Sequence, residues 1–209
     1  MIKIENLSKS FGEKKVIVNF NYQIDDGKMI AIMGKSGCGK STFLNILGLL
    51  DTDYQGKIYY NGKLIAKENE KKKNQYIRNN INYLFQNYAL IDDESVYNNL
   101  LLALTYVKIS KSEKLDLINK ALKLVDLEGF NDKKIYTLSG GEQQRIALAR
   151  IILKKGSIIL ADEPTGNLDK ENSNKIMRIL KSLKEKGRTI IVVTHDEEVA
   201  KQCDDIICW

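Results

Sequence analysis

Residues 29–42 read MIAIMGKSGCGKST and decide the fold. Met29–Met33 is a short, wholly apolar run, which is typical of a strand buried on both faces of a sheet. The glycine-rich loop Gly34–Ser41 follows and fits the pattern G-x-x-x-x-G-K-[ST]. The apolar stretch Phe43–Leu50 then indicates a helix. A strand, a glycine loop and a helix in this order predict a site where backbone N–H groups and a helix N-terminus hold phosphate.

Two side chains of this loop supply further chemistry. Lys40 is expected to place a point charge on the β- and γ-phosphates, and the Ser41 hydroxyl is sized to bind Mg²⁺. The alternative is a chance glycine turn, and the strand–loop–helix context argues against it. The expected nucleotide contacts are Gly34, Ser36, Gly37, Cys38, Gly39, Lys40, Ser41 and Thr42.

Two adjacent acids end another apolar strand far along the chain. Residues 158–163 read IILADE, and unpaired acids beside a buried strand are costly, so a cation partner is expected. We predict that Asp162 binds Mg²⁺ directly or through water, and that Glu163 faces the attacking water as the general base. The alternative is a pair of exposed acids that cap a turn before Pro164.

His195 is the only histidine of the chain, and it follows the apolar run TIIVVT at residues 189–194. A lone histidine is more often structural than catalytic, and Asp196 and Glu197 are available as simple partners. Its place beside the Asp162 strand in the inferred sheet favours a contact with the γ-phosphate.

Composition restricts the class of protein. Hydrophobic residues make up 43% and charged residues 29% of the 209, which argues against disorder. We find no apolar run near the roughly 18–20 residues that span a bilayer, and no signal peptide. We therefore expect a soluble protein. The net charge of +6 is dispersed, so we expect no nucleic-acid partner.

The order of elements predicts the architecture. The N-terminal part is rich in strands, the middle has apolar residues at helical spacing over 95–107 and 112–127, with Ser112 as a candidate cap, and strands resume near residue 157. The predicted fold class is α/β, with a mainly parallel sheet, an N-terminal antiparallel β region and an inserted α-helical subdomain. We expect one domain, 1–209, with a core at 1–86 and 157–209 and a helical subdomain at 87–156.

Residues 138–145 read LSGGEQQR, and residues 161–169 read ADEPTGNLD. With these motifs and the glycine loop, the chain resembles the nucleotide-binding subunits of ABC transporters over Ile2–Trp209. A phosphate loop occurs in many families, whereas the three motifs together are highly specific. The resemblance implies a P-loop NTPase core. Within the family, the chain is most similar to the group of macrolide exporters, lipoprotein-release ATPases and bacteriocin exporters.

The resemblance also implies roles for single residues. Phe11 matches the aromatic residue that stacks on adenine, although an ordinary core phenylalanine is the alternative. Gln86 matches the glutamine that senses Mg²⁺ and the attacking water. Asp169 matches a loop that crosses the dimer interface. Glu163 and His195 match the catalytic glutamate and the switch histidine.

The octet at residues 138–145 implies a second anion site, because Ser139 and the amides of Gly140 and Gly141 begin a helix. In this family that site meets the γ-phosphate held by the partner's phosphate loop, so that two ATP molecules are sandwiched between two protomers. The implied cofactors are ATP and Mg²⁺. The implied partners are a transmembrane permease and a second copy or a paired ABC ATPase, with the chain peripheral at the cytoplasmic face of the membrane.

Three functions compete within this resemblance. The first is ATP hydrolysis that drives export of a peptide, bacteriocin, drug or lipoprotein. The second keeps the ATPase but drives a membrane complex that regulates cell-wall hydrolases or senses antimicrobial peptides. The third is an ABC protein that acts on ribosomes or DNA, which is disfavoured because the chain has one cassette and no long coiled-coil insertion. A binding module without turnover is disfavoured by the presence of Glu163 and His195.

Overall fold

A five-stranded sheet carries the predicted phosphate loop at the end of one of its strands. The computed structural model describes residues 1–166 and 168–209. The strand order is β5-β6-β7-β3-β8, and the pairs β6–β7, β7–β3 and β3–β8 are parallel. The strands are β3 (Met29–Met33), β5 (Ile81–Leu84), β6 (Ile158–Asp162), β7 (Thr189–Thr194) and β8 (Asp205–Cys208).

The apolar sequences of the central strands follow from their burial. All six residues of β7 are buried, as are the first four of β3 and of β6. Strands covered on both faces gain hydrophobic stabilisation from every side chain, so they show no alternation. The polar residues that follow β3, β6 and β7 therefore stand at the carboxyl ends of neighbouring parallel strands, where ligands bind in such sheets.

The N-terminal β region forms a separate antiparallel sheet in the order β2-β1-β4. Its strands are β1 (Ile2–Phe11), β2 (Lys14–Ile24) and β4 (Gln55–Tyr60). The β1–β4 register shifts between Glu5 and Ser8, where Asn6 has a positive φ of 51°. Such irregularities bend a strand and increase its local twist.

Seven α-helices occur in the part of the chain that the structure describes. They are α1 (Lys40–Leu47), α2 (Glu70–Asn80), α3 (Val96–Leu101), α4 (Lys111–Leu124), α5 (Gly140–Leu153), α6 (Lys170–Glu185) and α7 (Glu197–Ala200). Short 3-10 turns lie at Ile65–Lys67, Leu102–Leu104 and Ile135–Thr137. Among the described helices, none combines the length and apolar character that a membrane crossing requires.

The prediction of Ser112 as the cap of α4 is wrong, because Ser110 caps this helix. The Ser110 side chain accepts a hydrogen bond from the Glu113 N–H at 3.2 Å, and the Glu113 carboxylate accepts one from the Ser110 N–H at 2.8 Å. This reciprocal capping box needs a glutamate three residues after the serine. Ser112 has Leu115 in that position and lies inside the first turn.

The described residues form two compact units. The core unit comprises Met1–Tyr83, Gly156–Glu163 and Lys184–Trp209. The helical unit comprises Leu84–Lys155 and Pro164–Leu183. The second segment of the helical unit is tied to α5 by a hydrogen bond of 2.8 Å from Gln144 Nε2 to the Pro164 carbonyl.

Candidate active site

The loop between β3 and α1 leaves backbone donors without a protein cap. Gly39 is the N-cap of α1, has a left-handed φ of 109° and provides no side-chain hydrogen bond, and the first turn contains no acidic residue. A side chain at Gly39 would also run into Val16. The first N–H groups of a helix need partners, and their positive end attracts anions. The geometry is that of an anion site at the N-terminus of α1.

Lys40 places its charge inside this loop. The residue is only 7% exposed, and its Nζ donates to the Gly34 carbonyl at 2.8 Å and the Lys35 carbonyl at 2.9 Å. A cation in the first turn of a helix is unfavourable by itself, since the helix dipole is positive there. A phosphate bound at the loop reverses this balance, because it pairs with the ammonium group and the helix N-terminus together.

Asp162 and Ser41 form a pair with the chemistry of a magnesium site. Ser41 Oγ donates to Asp162 Oδ1 at 3.2 Å. Burial, the largest cause, raises the pKa of the Asp162 carboxyl above its ordinary value, and the charge of Glu163 adds to this effect, while the Ser41 hydrogen bond and the charge of Lys40 oppose it. Its neighbours therefore do not fully offset the cost of burying the charged Asp162 carboxylate, and a bound cation would do so. A hydroxyl and a carboxylate are ligands that Mg²⁺ accepts, so these residues fit the ion.

Glu163 is held so that one carboxylate oxygen is paired and the other is not. Its backbone has a positive φ of 47°, and its N–H donates to the Val193 carbonyl at 3.0 Å. Oε1 lies 2.9 Å from His195 Nδ1, whereas Oε2 is buried and lacks a hydrogen-bond partner among the described residues. Buried oxygens of this kind are costly to leave unpaired. A water molecule at Oε2 would satisfy the carboxylate and be oriented by it.

His195 follows β7, and its side chain is 66% exposed. One ring nitrogen faces Glu163, which leaves the other ring nitrogen able to meet a ligand. The sequence alternative of Asp196 as its partner does not apply, because the Asp196 carboxylate caps α7 by accepting from the Glu198 N–H at 2.7 Å.

The core unit thus brings together five predicted residues: Lys40, Ser41, Asp162, Glu163 and His195. Phe11, at the end of β1, is 54% exposed and so is not a core phenylalanine. The Lys9 ammonium lies 5.0 Å from the centroid of its ring. Gln86 is exposed and belongs to the helical unit, two residues after β5.

The predicted second anion site lies at the start of α5, in the helical unit. Ser139 is the N-cap and closes a capping box, because its N–H donates to Glu142 Oε2 at 2.8 Å and its Oγ accepts from the Glu142 N–H at 3.3 Å. The backbone bond from Ser139 is the largest cause that lowers the pKa of Glu142. The box leaves the amides of Gly140 and Gly141 uncovered by side chains of their own.

The sequence motifs did not reveal what holds the start of α6 to α5. Arg145 Nη1 donates to Asn172 Oδ1 at 2.6 Å. Asp169 in turn accepts from the Asn172 N–H at 2.8 Å and from its Nδ2 at 2.7 Å, and these bonds lower the pKa of Asp169. The glutamine and arginine of the octet were visible in the sequence, but their partners were not. Asn167, in the same GNLD motif as Asp169, lies outside the described residues.

Comparisons with known proteins point to one family. A family model described as ABC transporter matches residues 17–166. An uncharacterized ABC transporter ATP-binding protein of Methanocaldococcus jannaschii is 41% identical over 211 residues, which cover 99% of this chain and 94% of the relative. The macrolide export ATP-binding/permease protein MacB of Campylobacter jejuni is 37% identical over 99% of this chain, and this chain spans only 32% of MacB.

Solved structures show the same fold. A dimeric structure of the ABC transporter cassette MJ0796 has a TM-score of 0.92 and 38% identity, and covers 100% of this chain and 94% of its own. A dimeric post-hydrolysis state of the same cassette, bound to ADP and Pi, has a TM-score of 0.91 and 37% identity, with the same coverage. The predicted fold class and the predicted similarity to macrolide exporters are therefore confirmed. The chain belongs to the ABC transporter family, as an ATP-binding cassette of that family.

Proposed function

We propose that the chain hydrolyses ATP in a dimer that encloses two nucleotides, and that this cycle drives a membrane permease in export. The observation that carries the proposal is the state of Glu163, which has one oxygen on His195 at 2.9 Å and a buried oxygen that lacks a partner. A carboxylate so placed orients water for attack and accepts its proton. The relative bound to ADP and Pi supports the assignment to ATP hydrolysis.

Each residue of the core unit has a defined part in the proposed reaction. The glycine loop and Lys40 bind the phosphates, and Lys40 exchanges its bonds to the Gly34 and Lys35 carbonyls for phosphate oxygens. Ser41 and Asp162 hold Mg²⁺, which offsets negative charge on the phosphates when bound. His195 holds Glu163 and contacts the γ-phosphate. Phe11 stacks on adenine, which its exposed ring permits.

In the proposed dimer, the helical unit of one copy contacts the nucleotide that the other copy binds. Ser139, Gly140 and Gly141 contact the γ-phosphate bound by the partner, and Asp169 lies at the same interface. Gln86 reports on Mg²⁺ and water, and the segment that follows it contacts the permease. The dimeric relatives support this arrangement, and removal of the γ-phosphate by hydrolysis then opens the dimer.

The proposed partner and location follow from the relatives. MacB carries ATP-binding and permease functions in one chain, of which this chain spans about a third, 32%. We infer that a permease acts with this cassette, that it exports a peptide, bacteriocin, drug or lipoprotein, and that the cassette is peripheral at the cytoplasmic face of the membrane. Co-purification from detergent-solubilised membranes tests the partner directly.

Glu163→Gln tests the proposed chemistry. We expect the variant to bind ATP with unchanged affinity and to lose about 100-fold or more in turnover, since general bases contribute on that order. With Mg²⁺ and ATP it should elute as a dimer in size-exclusion chromatography, and with ADP as a monomer. Undiminished turnover would exclude Glu163 as the base, and a monomer with Mg²⁺ and ATP would exclude the sandwich.

A further inference from the structure

Trp209 contacts both ends of the phosphate loop. Its backbone N–H donates to the Met33 carbonyl at 2.6 Å, and its indole Nε1–H donates to the Cys38 carbonyl at 3.1 Å. Met33 ends β3, and Cys38 comes just before the N-cap of α1. One residue therefore bonds to the residue before the loop and to a peptide within it, although it is 171 positions from Cys38 in the chain.

The indole is held in place by two other rings. Its centroid lies 4.7 Å from that of Phe43, on α1, and 5.1 Å from that of Phe20, on β2. Phe43 is fully buried. Aromatic packing of this kind restricts the ring to one orientation, so the indole N–H has a fixed direction.

Peptide geometry connects this hydrogen bond to the ligand side of the loop. The carbonyl of one residue and the N–H of the next point in opposite directions across a trans peptide. Because the Cys38 carbonyl faces Trp209, the Gly39 N–H faces away from Trp209. In the part of the chain that the structure describes, this N–H has no hydrogen-bond acceptor, and Gly39 has the φ of 109° that only glycine adopts readily.

We propose that Trp209 is a positioning residue for the phosphate loop: its indole N–H fixes the Cys38–Gly39 peptide so that the Gly39 N–H points at the bound phosphates. This inference rests on the proposed binding of nucleotide at the loop. Without the indole donor, the peptide can rotate and offer its carbonyl to the ligand instead, which repels phosphate. This role requires no contact between Trp209 and the nucleotide.

Two substitutions remove the donor while keeping a ring. Trp209→Phe keeps an aromatic side chain against Phe20 and Phe43. Replacement of Trp209 by benzothienylalanine, introduced by semisynthesis, keeps the full bicyclic shape and exchanges only N–H for sulfur. We expect the Kd for Mg-ADP, measured by calorimetry, to rise about fivefold in both, as for the loss of one hydrogen bond. The KM for ATP should rise by the same factor with kcat unchanged.

Tyr22→Leu is the matched control for packing. It removes a ring that packs on Phe20, with centroids 6.0 Å apart, but it leaves both rings that hold the indole, so it should lower the melting temperature and leave the Kd for Mg-ADP unchanged. A benzothienylalanine protein that binds Mg-ADP as tightly as wild type overturns the proposal, as does a Tyr22→Leu variant that weakens binding equally. If wild-type protein binds no Mg-ADP, the proposed function fails instead.

Discussion

Helices α1 and α5 both begin at glycine-rich segments, yet they leave their first N–H groups in different states. The N-cap of α1, Gly39, has no side chain to offer, and the first turn adds the charge of Lys40. The N-cap of α5, Ser139, closes a capping box with Glu142. Among the described residues no side chain caps α1, so its first N–H groups are open to water or a bound anion. Helix α5 has its own cap and keeps its glycine amides for a further contact. This difference matches a site that captures the nucleotide and a site that closes over it.

Helix α4 provides an internal reference for α5. It has the same capping box, from Ser110 to Glu113, but Lys111 and Ser112 occupy the positions of Gly140 and Gly141. Glycine costs up to about 1 kcal/mol per helical position relative to alanine. The capping box therefore does not require the two glycines. Access of an anion to the backbone amides does require them, because a side chain at either position would stand between the amide and the approaching anion.

Among the substitutions that test this difference, the largest effect is expected at the start of α1. Lys40→Ala should weaken ATP binding about 100-fold or more, since it removes charge-assisted hydrogen bonds from the captured phosphates. Calorimetry with Mg-ATP measures the effect. Lys35→Ala is the control, because that side chain is exposed and only its carbonyl contacts Lys40. Equal affinity of Lys40→Ala and wild type would contradict the role of the α1 site.

A smaller effect is expected at α5. Gly141→Ala should lower turnover about tenfold, a loss of about 1.4 kcal/mol of transition-state stabilisation. Binding of ATP to the monomer should be unchanged. A Cβ at Gly141 would lie 3.4 Å from Asn172 Cγ, an ordinary contact, so the fold accommodates it.

Stability separates this effect from misfolding. The melting temperature of Gly141→Ala should equal or exceed that of wild type, because alanine favours the helix. Ser112→Ala, at the corresponding position of α4, should leave turnover unchanged. Full turnover of Gly141→Ala would contradict the requirement for a glycine at this position.

The smallest effect concerns the two capping boxes. Hydrogen bonds from Ser139 and Ser110 lower the folded-state pKa of Glu142 and Glu113. A lowered pKa contributes stability above the ordinary glutamate pKa of about 4.3, and this contribution disappears as the pH falls through the folded-state value. Glu142→Ala and Glu113→Ala should each melt slightly below wild type at pH 7.

Melting temperatures measured at acidic pH complete this test. The differences in melting temperature from wild type should shrink as the solution is made more acidic than the folded-state pKa values. Only Glu142→Ala should also reduce turnover, because only its box orders the glycine amides. Equal turnover in the two variants would remove the distinction between α4 and α5.

Local and topological patterns made much of this site predictable. The glycine loop, Asp162 and Glu163 could be placed because they lie at or just after the ends of apolar strands, and parallel strands align their carboxyl ends. The prediction of Ser112 as the cap of α4 was wrong, although Glu113, three residues after Ser110, is a sequence signal that favours Ser110. Hydrogen bonds between residues far apart in the chain could not be predicted. Neither the bond of Trp209 to Cys38 nor that of Gln144 to Pro164 has a sequence signature, because each depends on how distant elements pack.

The sandwich itself is tested most directly by a crystal structure of Glu163→Gln with Mg²⁺ and ATP. The decisive distance joins the Gly141 amide nitrogen of one copy to the nearest γ-phosphate oxygen of the nucleotide held by the other copy. We predict about 3 Å, the length of an N–H···O hydrogen bond. A saturated protein in which the amides of Gly140 and Gly141 face solvent would contradict the account.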